Sequence, residues 1–166
     1  MSALKAVLTL LLAVVAVATL VGTAQGTPIE NVDTTDGHKV FTANCSACHQ
    51  ATGDGIPAVF PPLKGHVPAL LAVEGGRRYL VDVILFGVSG PITAANQRYD
   101  GLMPPWGHLS DAQLAAVLNY VASAWDNRLS LTPGFVAFTA EEVLATRIDA
   151  LDANAVRAAR QLLGLD

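Results

Sequence analysis

Cys45-Ser46-Ala47-Cys48-His49 decides how the rest of this chain is read. In one helical turn the two thiols, three residues apart, lie on the same face. There they can add to the two vinyl groups on one edge of a porphyrin, and the imidazole that follows falls under the iron. C-x-x-C-H is accordingly the attachment signature of a c-type haem. The run uses both cysteines of the chain, so no thiol is left for another role. Two other chemistries compete for these residues. A thioredoxin-like redox pair needs a βαβ setting, which the flanking sequence does not offer. A zinc site needs four ligands, and His38, His66 and His108 are scattered.

Haem iron takes a sixth ligand, and its identity sets the chemistry. Apart from Met1 the chain has one methionine, Met103, within Gly101-Leu102-Met103-Pro104-Pro105-Trp106. The glycine and prolines predict a rigid loop outside regular structure, from which the thioether can point inward. The competing role for a lone methionine is core filler. His38, His66 and His108 are rival ligands, with His108 the best placed by position. His/Met ligation leaves no coordination position for a substrate, and a thioether favours ferrous iron. His49 then needs an acceptor for its other ring nitrogen, and a proline carbonyl in Pro61-Pro62-Leu63 is the candidate. Tyr99, Trp106 and Arg98 flank Met103 and are candidates to hydrogen-bond propionates, with structural filling the alternative for the two aromatics. A displaceable Met103 would instead make a haem enzyme or gas sensor, for which no His or Arg is placed as a distal acid–base group.

Working outward, residues 1–24 read as a secretory signal. Lys5 sits in a short basic start, Ala6 to Val21 carries no charge, and Gly22-Thr23-Ala24 and Ala24-Gln25-Gly26 offer small residues for cleavage. The apolar core is long for this purpose, and an uncleaved anchor is the alternative, since a spanning helix needs roughly 20 apolar residues. Either way the remainder is expected in the periplasm or on the outer face of the cytoplasmic membrane, with membrane-surface association left open. Lys5 is the leader's one charge, so its removal takes the formal charge one unit below the −4 of the full chain. That balance excludes nucleic acid, which needs a basic patch. It also argues against docking through a ring of lysines, because only Lys39 and Lys64 remain.

The pattern after the leader predicts an all-α chain. Residues 25–35 carry proline and polar residues without a period and read as a flexible lead-in. Asp36 is a candidate cap for a helix from Gly37 into the haem motif, with Val40 and Phe41 on its apolar stripe. Residues 51–65, rich in glycine and proline, read as loop, and the apolar Ile56, Ala58, Val59 and Phe60 within it are expected to cover haem or form a contact patch. A short helix is expected over 66–73 and a longer one over 77–86, stopped by Gly87. Residues 89–101 read as turn and loop. Ser110 and Gln113 form a capping box for a helix carrying Leu114, Val117, Leu118 and Val121. Thr139 with Glu142 makes a second box, and Asp152 caps a last helix through Leu163. Neither tail helix is long enough to be stable unpacked.

Together these residues resemble a class I cytochrome c over about Asp36 to Trp125. Gly37, Phe41 and Cys45 match a Gly, aromatic, Cys series at four-residue steps, Pro61 and Leu63 match a Pro-x-Leu after the haem motif, and Met103-Pro104 matches the methionine loop. Phe60-Pro61-Pro62-Leu63, Gly65-His66-Val67, Glu74-Gly75-Gly76-Arg77 and Phe138-Thr139-Ala140-Glu141-Glu142-Val143 extend the likeness to the long-tailed Thermus-type branch. The resemblance implies a cytochrome domain over 36–129 around one covalent haem c. It implies a C-terminal helical extension over 130–166 wrapping the body. Val117 and Tyr120 would meet Gly37 and Phe41 where two helices cross, and Pro61 would hold His49. It further implies a one-electron carrier rather than an enzyme. Its donor would be a quinol-oxidising complex or dehydrogenase, its acceptor a haem–copper terminal oxidase, and docking largely apolar. The alternative is a membrane-anchored cytochrome subunit of a larger complex. Two departures stand out: Asp100 replaces an asparagine usual before the methionine, and the tail is poor in basic residues.

Overall fold

The computed structural model describes residues 26–164, so the leader expected over 1–24 lies outside the described residues. Among the described residues, seven helices and one hairpin follow in order. They are α1 (Thr35–Asn44), α2 (Ser46–His49), α3 (His66–Leu71), α4 (Gly76–Phe86), β1 (Val88–Ala94), β2 (Gln97–Met103), α5 (Asp111–Ser123), α6 (Ala140–Arg147) and α7 (Ala153–Leu162). Short 3-10 turns at Ile29–Asn31 and Asn127–Ser130 join them.

The frame is the crossing of α1 on α5. Both helices bury one stripe, Gly37 and Phe41 on α1 and Leu114, Val117, Leu118 and Val121 on α5. Their close approach depends on Gly37, because a Cβ there would overlap the Ala116 carbonyl and meet the Tyr120 Cβ. Phe41, Tyr120 and Trp125 fill the crossing with ring centroids 5.2 to 5.5 Å apart, in the tilted and edge-on geometries that aromatic quadrupoles favour. The capping box on α5 is complete: Gln113 N donates to Ser110 Oγ at 3.2 Å and Ser110 N to Gln113 Oε1 at 3.0 Å. Asp36 does not cap α1. It lies inside the first turn and pairs with Lys39 at 2.9 Å, while Asp33 Oδ1 accepts from Thr35 N at 2.8 Å.

The expectation of an all-α chain, with loop over 89–101, is corrected by the antiparallel hairpin Val88–Ala94 and Gln97–Met103. Ala95 and Asn96 both take positive φ, 48° and 61°, which gives a two-residue turn whose twist suits a hairpin. Gly90 and Pro91 hide the strand in the sequence, because both are poor strand residues. The register explains why Pro91 is tolerated. Ala94 and Gln97 close the turn as a hydrogen-bonded pair, so alternation leaves Pro91 opposite Asp100 at a non-hydrogen-bonded pair, where no ladder N–H is needed. Met103 is likewise not in a loop. It ends β2 opposite Val88, and Pro104 stops the strand there.

The segment after α5 returns over the body. Thr27 to Ile29, within the expected lead-in, pair with Phe135 to Ala137, and Ile29 is buried. The expected capping box at Thr139 is half present. Thr139 Oγ1 accepts from Glu142 N, but the Glu142 carboxylate takes both oxygens to Arg77, at 2.6 and 2.7 Å. Asp152 caps α7 as expected, accepting from Asn154 N and Ala155 N at 2.9 and 2.8 Å. Helix α6 packs on α4 and α5, and α7 packs on β1 and α4. Among the described residues no helix is long and apolar enough to cross a membrane.

Candidate haem site

The α1 helix ends at Cys45, and after this break α2 carries Cys48 and His49. His49 is buried, and its Nδ1 lies 2.9 Å from the Pro61 carbonyl oxygen. A proline carbonyl can only accept, so Nδ1 carries the proton and the lone pair is on Nε2. Burial holds the imidazole below its usual pKa, against the opposing Pro61 hydrogen bond, and so favours the neutral form that a metal ligand needs. The backbone that brings Pro61 to this place is a tight loop, with Ile56 and Phe60 bridged and Leu63 N donating to the Gly53 carbonyl at 2.8 Å.

A cleft of about 360 Å³ opens beside these groups. Cys45, Cys48, His49, Pro61 and Leu63 line it, together with Val67, Leu70, Leu80 and Val83 from α3 and α4. The hairpin supplies another wall through Val88, Ile92, Tyr99 and Met103, which share one face because Val88 pairs with Met103 and Ile92 with Tyr99. Trp106 also lines the cleft. Thus all eight residues singled out from the sequence, Cys45, Cys48, His49, Pro61, Leu63, Tyr99, Met103 and Trp106, meet in one place. Arg98 does not. It is exposed on β2 and pairs with Asp100 at 3.2 Å. Of the rival histidines, His66 lines the cleft, whereas His38 is exposed against Tyr120 and His108 is exposed against Trp106.

The chemistry of the donors separates the competing readings. Burial, and then Cys48, push the Cys45 thiol up to about 11. A disulfide-exchange pair needs the reverse, a stabilised thiolate. No three His, Cys, Asp or Glu side chains among the described residues cluster as a metal site. What remains is two thiols, one neutral imidazole with a fixed tautomer, one thioether and a largely apolar cleft. This donor set fits an iron porphyrin bound edge-on through its vinyls.

Several residues that hold the site gave no signal in the sequence. Asn127 is buried and binds three backbone groups: it accepts from Gly65 N at 2.7 Å and donates to the Val121 and Leu63 carbonyls at 2.7 and 3.2 Å. It therefore pins the Leu63 loop to the end of α5. Asn119 does the same for the returning segment, exchanging bonds of 3.0 and 2.8 Å with Phe138 O and N. Arg160 of α7 is buried and lines the cleft.

A helical frame crossing at a glycine, a C-x-x-C-H turn and an apolar cleft define a c-type cytochrome. The family model for cytochrome c matches residues 34–125, so the chain belongs to the cytochrome c family, and covalently bound haem c is its cofactor. Within the family it is a Thermus-type class I cytochrome c. It is 47% identical over 130 residues to cytochrome c-552 of Thermus thermophilus, which covers 78% of this chain and 98% of that protein. More distant likenesses are to subunits of larger enzymes. The cytochrome c subunit of the quinone alcohol dehydrogenase of Gluconobacter oxydans is 30% identical over 112 residues, 66% of this chain and 22% of that one. The CcoP subunit of the cbb3-type cytochrome c oxidase of Rhodobacter capsulatus is 30% identical over 98 residues, 59% of this chain and 31% of that one. The chain is therefore an electron carrier of respiratory type.

Proposed function

We propose that this protein is an exported one-electron shuttle with His49 and Met103 as the axial ligands of its haem, delivering electrons to a haem–copper terminal oxidase. The observation that carries this reading is the arrangement of the cleft. Cys45, Cys48, His49 and Met103 all line it, and its other walls are mostly apolar. Bound there, the haem supplies the reversible ferric–ferrous change. The chain's own residues do the rest. Cys45 and Cys48 anchor the porphyrin edge, and the Pro61 carbonyl keeps the His49 ring in one tautomer and orientation. Met103 is set by the end of β2 and by Pro104, so the ligands need little rearrangement when the charge changes. Leu63, Tyr99 and Trp106 exclude water. Closed coordination leaves no place for a substrate, so the protein acts as a carrier rather than an enzyme.

The rim of the cleft suits brief docking. Val59 and Leu102 are 55% and 64% exposed, beside Ala58, Pro62 and Pro104. An apolar rim near the porphyrin edge gives a partner oxidase a short path for the electron. The donor is a quinol-oxidising complex or a dehydrogenase, and export places the protein in the periplasm. A second reading, a membrane-anchored subunit of a respiratory or dehydrogenase complex, is favoured by the likeness to enzyme-bound cytochrome subunits and by the apolar stretch over residues 6–21.

The ferric protein tests the ligand set. Methionine ligation gives a weak long-wavelength absorption band, expected in the parent and absent in Met103→Ala. A parent spectrum without the band, together with ready cyanide binding at neutral pH, would overturn the carrier reading. Intact mass and extraction behaviour decide the second reading: release by salt with residues 1–24 removed excludes an anchored subunit.

A further inference from the structure

Left-handed backbone is ordinarily given to glycine. Just beyond α5, Trp125 and Asp126 both take it, at φ 52° and 67°, in a turn closed by a bond of 2.9 Å from Asn127 N to the Ala124 carbonyl. A bulky residue keeps such a conformation only where its surroundings hold it there. What holds this turn is the loop over residues 51–65. A Cβ at Gly53 would come 2.6 Å from the Trp125 ring, and Trp125 Nε1 donates to the Ala51 carbonyl at 3.0 Å. Asn127, 2% exposed, accepts from Gly65 N at 2.7 Å and donates to the Leu63 carbonyl at 3.2 Å. The turn thus grips both ends of the loop that carries Pro61. Inside the loop, the Gly53 carbonyl accepts from Leu63 N at 2.8 Å, and Gly55 N donates to the His49 carbonyl at 3.0 Å. Gly55 lies so close that a Cβ there would sit 2.7 Å from the Pro61 carbonyl oxygen. That oxygen therefore has little freedom, and it is the partner of His49 Nδ1 at 2.9 Å.

We propose that the Trp125–Asn127 turn positions the His49 imidazole through the Pro61 loop, so that Asn127 and Trp125 are positioning residues that tune the haem potential. The inference rests on His49 being the axial ligand put forward above. An imidazole that donates firmly at Nδ1 is a more basic ligand at Nε2 and favours ferric iron. Loosening the loop weakens that bond, makes His49 a poorer donor to the iron and frees the ring to turn. Neither Trp125 nor Asn127 lines the cleft, so their influence on the iron passes through the loop.

The test uses the haem-loaded protein and its Asn127→Ala, Trp125→Phe and Thr139→Ala variants, each checked for folding by circular dichroism and for haem by its spectrum. Thr139→Ala is the reference, because it removes a helix cap in the extension and leaves the loop alone. Asn127→Ala is expected to raise the midpoint potential and to change the pattern of ferric haem methyl shifts in NMR, which reports the orientation of the axial ligands. Trp125→Phe keeps a ring over Gly53 and loses the Ala51 bond, so it is expected to move both in the same direction by less. Thr139→Ala is expected to lose stability and leave both in place. An unmoved potential and shift pattern in Asn127→Ala, or the same changes in Thr139→Ala, would overturn the proposal. In the unmutated protein, hydrogen exchange gives an answer that does not depend on variants. The Leu63 and Gly65 amide protons and the His49 Nδ1 proton are expected to exchange through one common opening. A faster opening that belongs to the His49 proton alone would show that the turn does not hold the ring. A parent spectrum without six-coordinate low-spin haem would refute the ligand reading instead.

Discussion

At the scale of single residues, Gly87 limits where Met103 can be. It ends α4 at φ 76° and ψ −179°, a conformation that strains any residue with a Cβ. A Cβ built there would come 2.5 Å from the Met103 carbonyl oxygen and 3.0 Å from Pro105 N. Gly87→Ala should therefore push the methionine segment outward at a cost of about 1–3 kcal/mol. The expected result is a lower thermal midpoint and a weakened methionine–iron band in the ferric spectrum. An unchanged band in a destabilised variant would uncouple the two residues. The residues that meet at the cleft were legible because their chemistry is rare: two cysteines, a histidine beside them and one methionine besides Met1 leave few ways to build a site. Asn127 and Arg160 were not legible. An asparagine satisfied by three backbone groups, or an arginine turned inward, looks in sequence like any solvated polar residue, and only the packing of distant segments gives it a task.

At the scale of elements, the helices were readable because period and caps agree, as at Ser110–Gln113 and Asp152. The hairpin was not, because Gly90 and Pro91 interrupt its pattern and its second strand mixes Gln97, Arg98, Asp100 and Gly101 with Tyr99, Leu102 and Met103 without strict alternation. Two element contacts lead to predictions. The α1–α5 crossing has no room at Gly37, so Gly37→Val should lower stability by about 1–3 kcal/mol, seen as a fall in the denaturant midpoint. A variant as stable as the parent would mean that the helices can part without cost. The contact of α3 with α7 should be acid-sensitive. Burial first, and Arg160 second, lower the His66 pKa from 6.5 to about 4. The unfolded chain then binds more protons between these values, so this stability is complete above about pH 6.5 and is lost as pH falls through about 4. The slope approaches about 1.4 kcal/mol per pH unit inside the window. Replacement of His66 by Gln should flatten that slope in denaturant titrations, and an unchanged slope would assign the acid lability elsewhere.

At the scale of the whole molecule, the extension is tied down at points that matter to the site. Arg77 holds Glu142 and the carbonyls of Val136 and Ala137, with its guanidinium 4.1 Å from the centroid of the Phe138 ring. Arg147, on α6, grips Asp111 and the carbonyls of Gly107 and Leu109, just beyond the methionine segment. Both pairs are about one-third exposed or less, so each charged hydrogen bond outweighs a solvated surface pair. These clamps engage Arg77 and Arg147 within the protein, and this bears on how the molecule meets a partner. Lys39 and Lys64 are both engaged with aspartates, and the chain is net negative. Long-range attraction by a basic face is therefore weak, and the apolar rim at Val59 and Leu102 is left to set the encounter. Reduction of an oxidase should slow only modestly as salt rises from about one Debye length of 30 Å to one of 8 Å. Val59→Asp and Leu102→Asp should each raise the apparent KM severalfold while leaving the midpoint potential in place, because the rim lies outside the ligand set. A steep salt dependence in the parent, with both variants reacting like it, would move the docking face away from the cleft mouth.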